Sequence, residues 1–151
     1  MDRRRGYTVA ELLVVVLIIG VLAAVGVPRL QFGLRDRSQG SVTAWKIVTD
    51  LRRTRSLAIL HAATNPQGFA LNVRRQGKNT TYDLVDLSNS RVVESHAIDS
   101  SVVCEGGASF QFGPLGALKD GSDSSLELSL GPSTFELTVV PATGTVRCVE
   151  N

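Results

Sequence analysis

Residues 7–27 read YTVAELLVVVLIIGVLAAVGV, an unbroken apolar run whose only charge is Glu11. As a helix this segment spans about 31 Å, close to the roughly 30 Å of a bilayer's hydrocarbon core. Three fates suit such a run: a plain transmembrane anchor, a cleaved secretory signal, or an anchor processed at its N-terminal edge. The secretory reading has a basic start in Arg3, Arg4 and Arg5 and a small-residue site at Ala24-Val25-Gly26. Against it, the run is longer than an ordinary signal core. A carboxylate near its start also costs up to ~3 kcal/mol on insertion-type scales. A signal or plain anchor gains nothing from Glu11, whereas cleavage between Gly6 and Tyr7 supplies a partner. The new α-amino group of Tyr7 lies four residues, one helical turn, before Glu11. It can equally neutralise Glu11 of a neighbouring chain and so set the register of a helical bundle.

The string Arg3-Arg4-Arg5-Gly6-Tyr7-Thr8-Val9-Ala10-Glu11-Leu12-Leu13 resembles the prepilin signal of type IV pilins and type II secretion pseudopilins. In that family a short basic leader ends in Gly, an aromatic residue opens the mature chain, and Glu is its fifth residue. Tyr7 replaces the usual Phe and keeps the ring. The resemblance implies cleavage and N-methylation by a prepilin peptidase and anchoring in the bacterial inner membrane. It further implies a periplasmic C-terminal domain and assembly with other pilins or pseudopilins through the apolar helix. Arginines at positions 29, 35 and 37 follow the run, so charge counting does not set orientation. Gly20 and Pro28 fall where pilins commonly loosen or kink the helix.

The rest of the chain is expected to be one domain. Residues 41–63 show an apolar stripe of Ala44, Ile47, Val48, Leu51, Ala58 and Ala62, with Lys46, Asp50, Arg52, Arg53 and Ser56 opposite. Asn65-Pro66 is expected to end that helix. From Gln67 the period becomes two: Phe69, Leu71 and Val73, a turn at Gln76-Gly77-Lys78-Asn79, then Tyr82, Leu84 and Asp86. Short alternating segments follow at Ser109 to Phe112, Leu126 to Leu130, Phe135 to Val139 and Thr145 to Cys148. The expected fold is α+β, a long N-terminal helix packed on one antiparallel sheet or two stacked ones. The expected divisions are a leader (1–6), an assembly helix (7–28), an amphipathic continuation (29–66) and a β region (67–151).

A second resemblance lies in this half. Leu51-Arg52-Arg53-Thr54-Arg55-Ser56-Leu57-Ala58-Ile59, Phe110-Gln111-Phe112-Gly113-Pro114-Leu115-Gly116 and the ending Val139 to Arg147 look like the H-type minor pseudopilins of type II secretion. Some minor pilins of that subgroup capture DNA and carry Gly-Arg-x-Arg near the C-terminus; here the matching stretch is Gly144-Thr145-Val146-Arg147, one arginine short. Arg74, Arg75, Lys78 and Arg147 are the candidate DNA-contacting cations, but phosphate binding needs several on one face. The chain carries 16 Lys+Arg and 14 Asp+Glu; without residues 1–6 these fall to 13 and 13, so the mature chain is formally neutral and the pI of about 8.8 is no nucleic-acid signal.

Catalytic patterns are lacking: His61 and His96 read as surface residues, and no phosphate loop, paired carboxylates or zinc spacing occurs. No cofactor and no metal is expected. Residues 119–124, with Asp120, Gly121 and Asp123, could offer oxygen ligands to calcium, which some major pseudopilins bind, but match no complete EF-hand and read as a solvated turn. Cys104 and Cys148, an even pair in an exported domain, are expected to form a disulfide. Arg55 interrupts the helix's apolar face and is expected either to pair with a strand or loop carboxylate or to touch a neighbouring subunit.

Overall fold

The structure, a computed structural model, describes residues 9–77 and 79–151, with the side chains of residues 24–39 outside the description. The chain divides into two compact units, Met1–Arg35 and Asp36–Asn151, and helix α1 (Val9–Leu60) contributes to both. Eight strands follow: β1 (Phe69–Gln76), β2 (Asn79–Asp86), β3 (Arg91–Ile98), β4 (Val103–Gly106), β5 (Ser109–Phe112), β6 (Ser125–Leu130), β7 (Ser133–Val140) and β8 (Thr145–Glu150). They form two antiparallel sheets, ordered β3-β2-β1-β5 and β4-β6-β7-β8. The α+β class and the antiparallel pairing agree with the sequence pattern, and the choice between one sheet and two resolves to two.

In the second unit α1 buries Ala44, Ile47, Val48, Leu51, Thr54 and Ala58 completely. Thr54 completes the stripe because its hydroxyl donates to the Asp50 carbonyl at 2.6 Å, which leaves its methyl free to pack. These side chains share one core with Leu71, Phe110 and Phe112 of the first sheet and Leu126, Leu128, Leu137 and Val139 of the second. Gly40 sets how closely the helix meets the second sheet: a Cβ there would lie 2.9 Å from the Phe135 ring. The helix ends at Leu60, three residues before the expected Ala63, and turns over residues 61–64. Asn65 then organises the exit. Its amide nitrogen donates to the Gly68 carbonyl (2.9 Å) and to Asp86 (2.7 Å), and its amide oxygen accepts the Gly68 N–H (2.9 Å).

Strands β3 and β4 have no counterpart in the periodicity reading. β3 is an edge strand with little of it buried, and its adjacent Val92 and Val93 both face solvent, so burial imposes no alternation on it. β4 is only four residues long.

Candidate functional site

Within the first unit the described side chains, residues 9–23, are all exposed. Eleven of them are large and apolar, from Val9 through Leu12, Leu13 and Leu17 to Leu22. Burying a Val, Leu or Ile side chain contributes about 1.5–3 kcal/mol. Leaving eleven about half or more in water therefore forgoes on the order of 10–20 kcal/mol. A patch of that size demands lipid or protein cover. Glu11 sits in the helix's first turn, where a carboxylate is favoured by the N-terminal dipole. It is the charge of this stretch. Gly6 and Tyr7 lie outside the described residues, as does the side chain of Pro28. Among the described residues no helix is long and apolar enough to cross a membrane.

In the second unit the candidate cations are held apart. Neighbouring positions on β1 send Arg74 and Arg75 to opposite faces. Arg74 Nε pairs with Asp83 Oδ2 at 2.9 Å. Arg75 reaches the chain around β4 instead, donating to the carbonyls of Cys104 (2.9 Å), Gly106 (2.9 Å) and Gly107 (3.1 Å). Arg147 is exposed on β8, in the other sheet. Lys78 lies outside the described residues. The described cations therefore do not make one face.

The expected disulfide is absent. Both cysteines are free thiols. Cys104 pairs with Leu128 of β6, whereas Cys148 pairs with Leu137 of β7. They stand on the two edge strands of one sheet, three strand spacings or roughly 14 Å apart. A disulfide needs Cα atoms within about 7 Å. Burial pushes both thiols up from their ordinary pKa; Arg75 partly offsets this at Cys104, and Glu150 adds to it at Cys148. Neither is a primed nucleophile.

Asp50, placed by the sequence on the helix's solvent face, is partly enclosed by β2 and β3. The Tyr82 hydroxyl donates to its Oδ2 at 2.6 Å. His96 is no plain surface residue: its ring packs on Tyr82 with centroids 5.2 Å apart, and its Nε2 lies 3.9 Å from Asp50. Burial and the hydrogen bond to Asp50 raise the Tyr82 pKa far above its usual value. A phenol held neutral, 2% exposed and already donating, cannot serve an incoming substrate. His61, by contrast, is exposed and leans on Phe69 with centroids 5.8 Å apart. In the loop after β5, Asp123 Oδ2 accepts the backbone N–H groups of Ala108 (2.7 Å) and Ser109 (2.9 Å), which hold its carboxyl below the usual range. That carboxylate closes a loop of its own chain.

Among the described residues Arg55 takes neither a strand nor a loop carboxylate. Its Nε donates to the Gly116 carbonyl at 3.1 Å. Gly144 closes the same niche. Its φ is +64°, and a Cβ there would lie 1.9 Å from Gly116 O and 3.0 Å from Arg55 Cδ. Gly116, at φ +78°, approaches Ile59 so closely that a Cβ would meet its Cδ1 at 2.7 Å. The segments 51–59, 110–116 and 139–147 thus converge on one junction at the end of α1.

The exposed apolar helix with its single carboxylate is the feature that comparison with known families singles out. Residues 1–27 match the prokaryotic N-terminal methylation motif. This is the prepilin-type signal of the type IV pilin family, and it spans Gly6, Tyr7, Glu11 and the apolar run. No curated protein and no solved structure matches the chain. The methylation motif therefore bears on the first unit; the second rests on its own geometry.

Proposed function

We propose that the chain is a minor pseudopilin of a type II secretion system, a structural subunit and not an enzyme. A prepilin peptidase cleaves after Gly6 and methylates Tyr7, removing residues 1–6. The Tyr7 amine and Glu11, in the same or a neighbouring chain, neutralise one another. The apolar surface that includes Leu12 and Leu13 then packs against other pseudopilins as the helix leaves the inner membrane, with Pro28 relieving it beyond residue 27. The segments 29–66 and 67–151 form the periplasmic body, which supports export through its contacts and needs no cofactor.

The observation that carries this reading is the methylation motif over residues 1–27. The eleven exposed apolar side chains behind it support assembly, since they need lipid or partner helices. The internal engagement of Arg74 and Arg75 favours secretion over DNA capture by a minor type IV pilin, which would keep only Arg147 among the described candidates as an exposed, uncommitted cation. The deciding experiment is the mature N-terminus of protein from native membranes, read by intact mass and N-terminal peptide mapping. A methylated Tyr7 start is expected. A start at Met1, or near residue 27, overturns the assembly mechanism.

A further inference from the structure

The two sheets leave four edge strands, and an edge with unbonded backbone groups invites an added strand. Three of the four are guarded. On β5 the outward groups of Ser109 and Gln111 are taken. Their carbonyls accept from the N–H groups of Asp123 (2.9 Å) and Lys119 (2.8 Å), and their own N–H groups donate to Asp123 Oδ2 (2.9 Å) and Ser122 Oγ (3.3 Å). On β4 Arg75 takes the outward carbonyls of Cys104 and Gly106. On β3 Val93 stands out of register as a bulge between Val92 and Glu94, which turns that edge away from a straight partner.

β8 carries none of these devices. Its register with β7 runs unbroken from Thr145 to Glu150, and Asn151 N–H extends it onto the Thr134 carbonyl (2.9 Å). Backbone groups alternate in direction along an edge strand, so those of Thr145, Arg147 and Val149 face β7 while those of Val146 and Cys148 face outward. Arg52 agrees with this, since it reaches the Val146 carbonyl from α1 at 3.4 Å. Among the described residues nothing else bonds the outward groups of Val146 and Cys148. Two helical turns before Arg52, on the same face of α1, Trp45 is 53% exposed. Arg147 is exposed on β8 itself.

We propose that β8 takes an extended segment of a different subunit as an added antiparallel strand, with an apolar side chain of that segment against Trp45 and a carboxylate opposite Arg147. A second copy of this chain does not offer such a segment. Across an antiparallel edge, residues whose backbone faces outward oppose one another. A second β8 therefore sets Arg147 against Thr145, Arg147 or Val149, and never against a carboxylate. The other edges of a second copy are the guarded ones. The inference rests on the assembly reading above and gives it a backbone contact outside the apolar helix.

The test uses the full-length chain in native membranes with the photo-crosslinker p-benzoyl-phenylalanine at position 149. The expected adduct joins this chain to a different protein that carries its own N-terminal methylation motif, at an extended segment containing Asp or Glu. Cys148→Pro removes an N–H that points away from β7, so the sheet keeps its own bonds. It should lower the yield by about tenfold or more, whereas Cys148→Ala, which loses the same thiol, should not. Arg147→Glu should lower it by about fivefold or more. Hydrogen exchange on the wild-type chain decides the matter where Cys148→Pro folds poorly: residues 145–149 should exchange about tenfold more slowly in the purified complex than in the chain alone. An adduct on a second copy or on a protein without the motif, no adduct, equal yields in Cys148→Pro and Cys148→Ala, an unchanged yield in Arg147→Glu, or unchanged exchange each overturns the proposal. The N-terminus read from the same sample keeps the two readings apart. A Tyr7 start without the adduct sinks the contact alone, and a Met1 start with it sinks the processed-assembly reading alone.

Discussion

Replacing Gly144 by Ala tests whether the Arg55 junction holds the globular unit together. Two costs can be worked out separately. The first is conformational: Gly144 has φ +64°, and an L-residue in that region costs about 1–2 kcal/mol. The second is steric, because the new Cβ would lie 1.9 Å from Gly116 O, a backbone atom that has to move more than 1 Å to reach ordinary contact. Such a shift breaks the Arg55 hydrogen bond, which as a charge-assisted bond is worth about 1.5–3 kcal/mol. The sum is about 2.5–5 kcal/mol. At roughly 4 °C per kcal/mol for a unit of this size, the melting temperature should fall by about 10–20 °C. Circular dichroism of the full chain in detergent measures it. Gly121→Ala is the internal control, since Gly121 has φ +80° but nothing within 4 Å of its Cβ position. It should lose only the conformational part, about 4–8 °C. Equal losses in the two variants would refute the steric argument.

Three further outcomes follow from the structure. Glu11→Leu removes a carboxylate that costs up to ~3 kcal/mol in an apolar phase, so the variant should insert in the membrane and still be cleaved after Gly6, yet fail to co-purify with partner subunits; normal co-purification would exclude the amine–carboxylate pairing. The lowered pKa of Asp123 means that its stabilisation is present above the ordinary carboxylate value and disappears as pH falls through the folded one. Asp123→Asn should therefore cost about 1 kcal/mol at pH 7 and almost nothing near pH 2, and denaturant titrations at the two pH values give the comparison. Without any reductant, the denatured chain should take up two alkyl groups by intact mass. In the native chain Cys148, the less buried thiol, should react before Cys104; a mass two hydrogens short with no alkylation would show that the pair is oxidised after all.

What was legible in the sequence follows from how each feature is encoded. The apolar run with Glu11 is a linear signal, because a bilayer and a processing enzyme meet it as consecutive residues. The stripe through Ala44, Ile47, Val48 and Leu51 was legible for a related reason: one face of a helix meets one core, so burial copies its period onto the sequence. Phe69, Leu71 and Val73 do the same in β1, although Ala70 is buried as well. Strand β3 stands at an edge, where burial writes no pattern. The cysteines failed for a different reason. Their even number and the export signal favour a bond, but strand order decides whether they meet, and the intervening β6 and β7 place them on opposite edges. Arg55 shows the same limit from the other side. A guanidinium on an apolar face announces that something must accept its hydrogens, yet the acceptor is the backbone carbonyl of Gly116, an atom every residue carries and no sequence marks. What does mark it is the need for two glycines at one point, Gly116 where the loop crosses Ile59 and Gly144 where a Cβ would strike the carbonyl that Arg55 holds. Reading the three segments as one junction therefore depends on packing, which no linear pattern along the chain records.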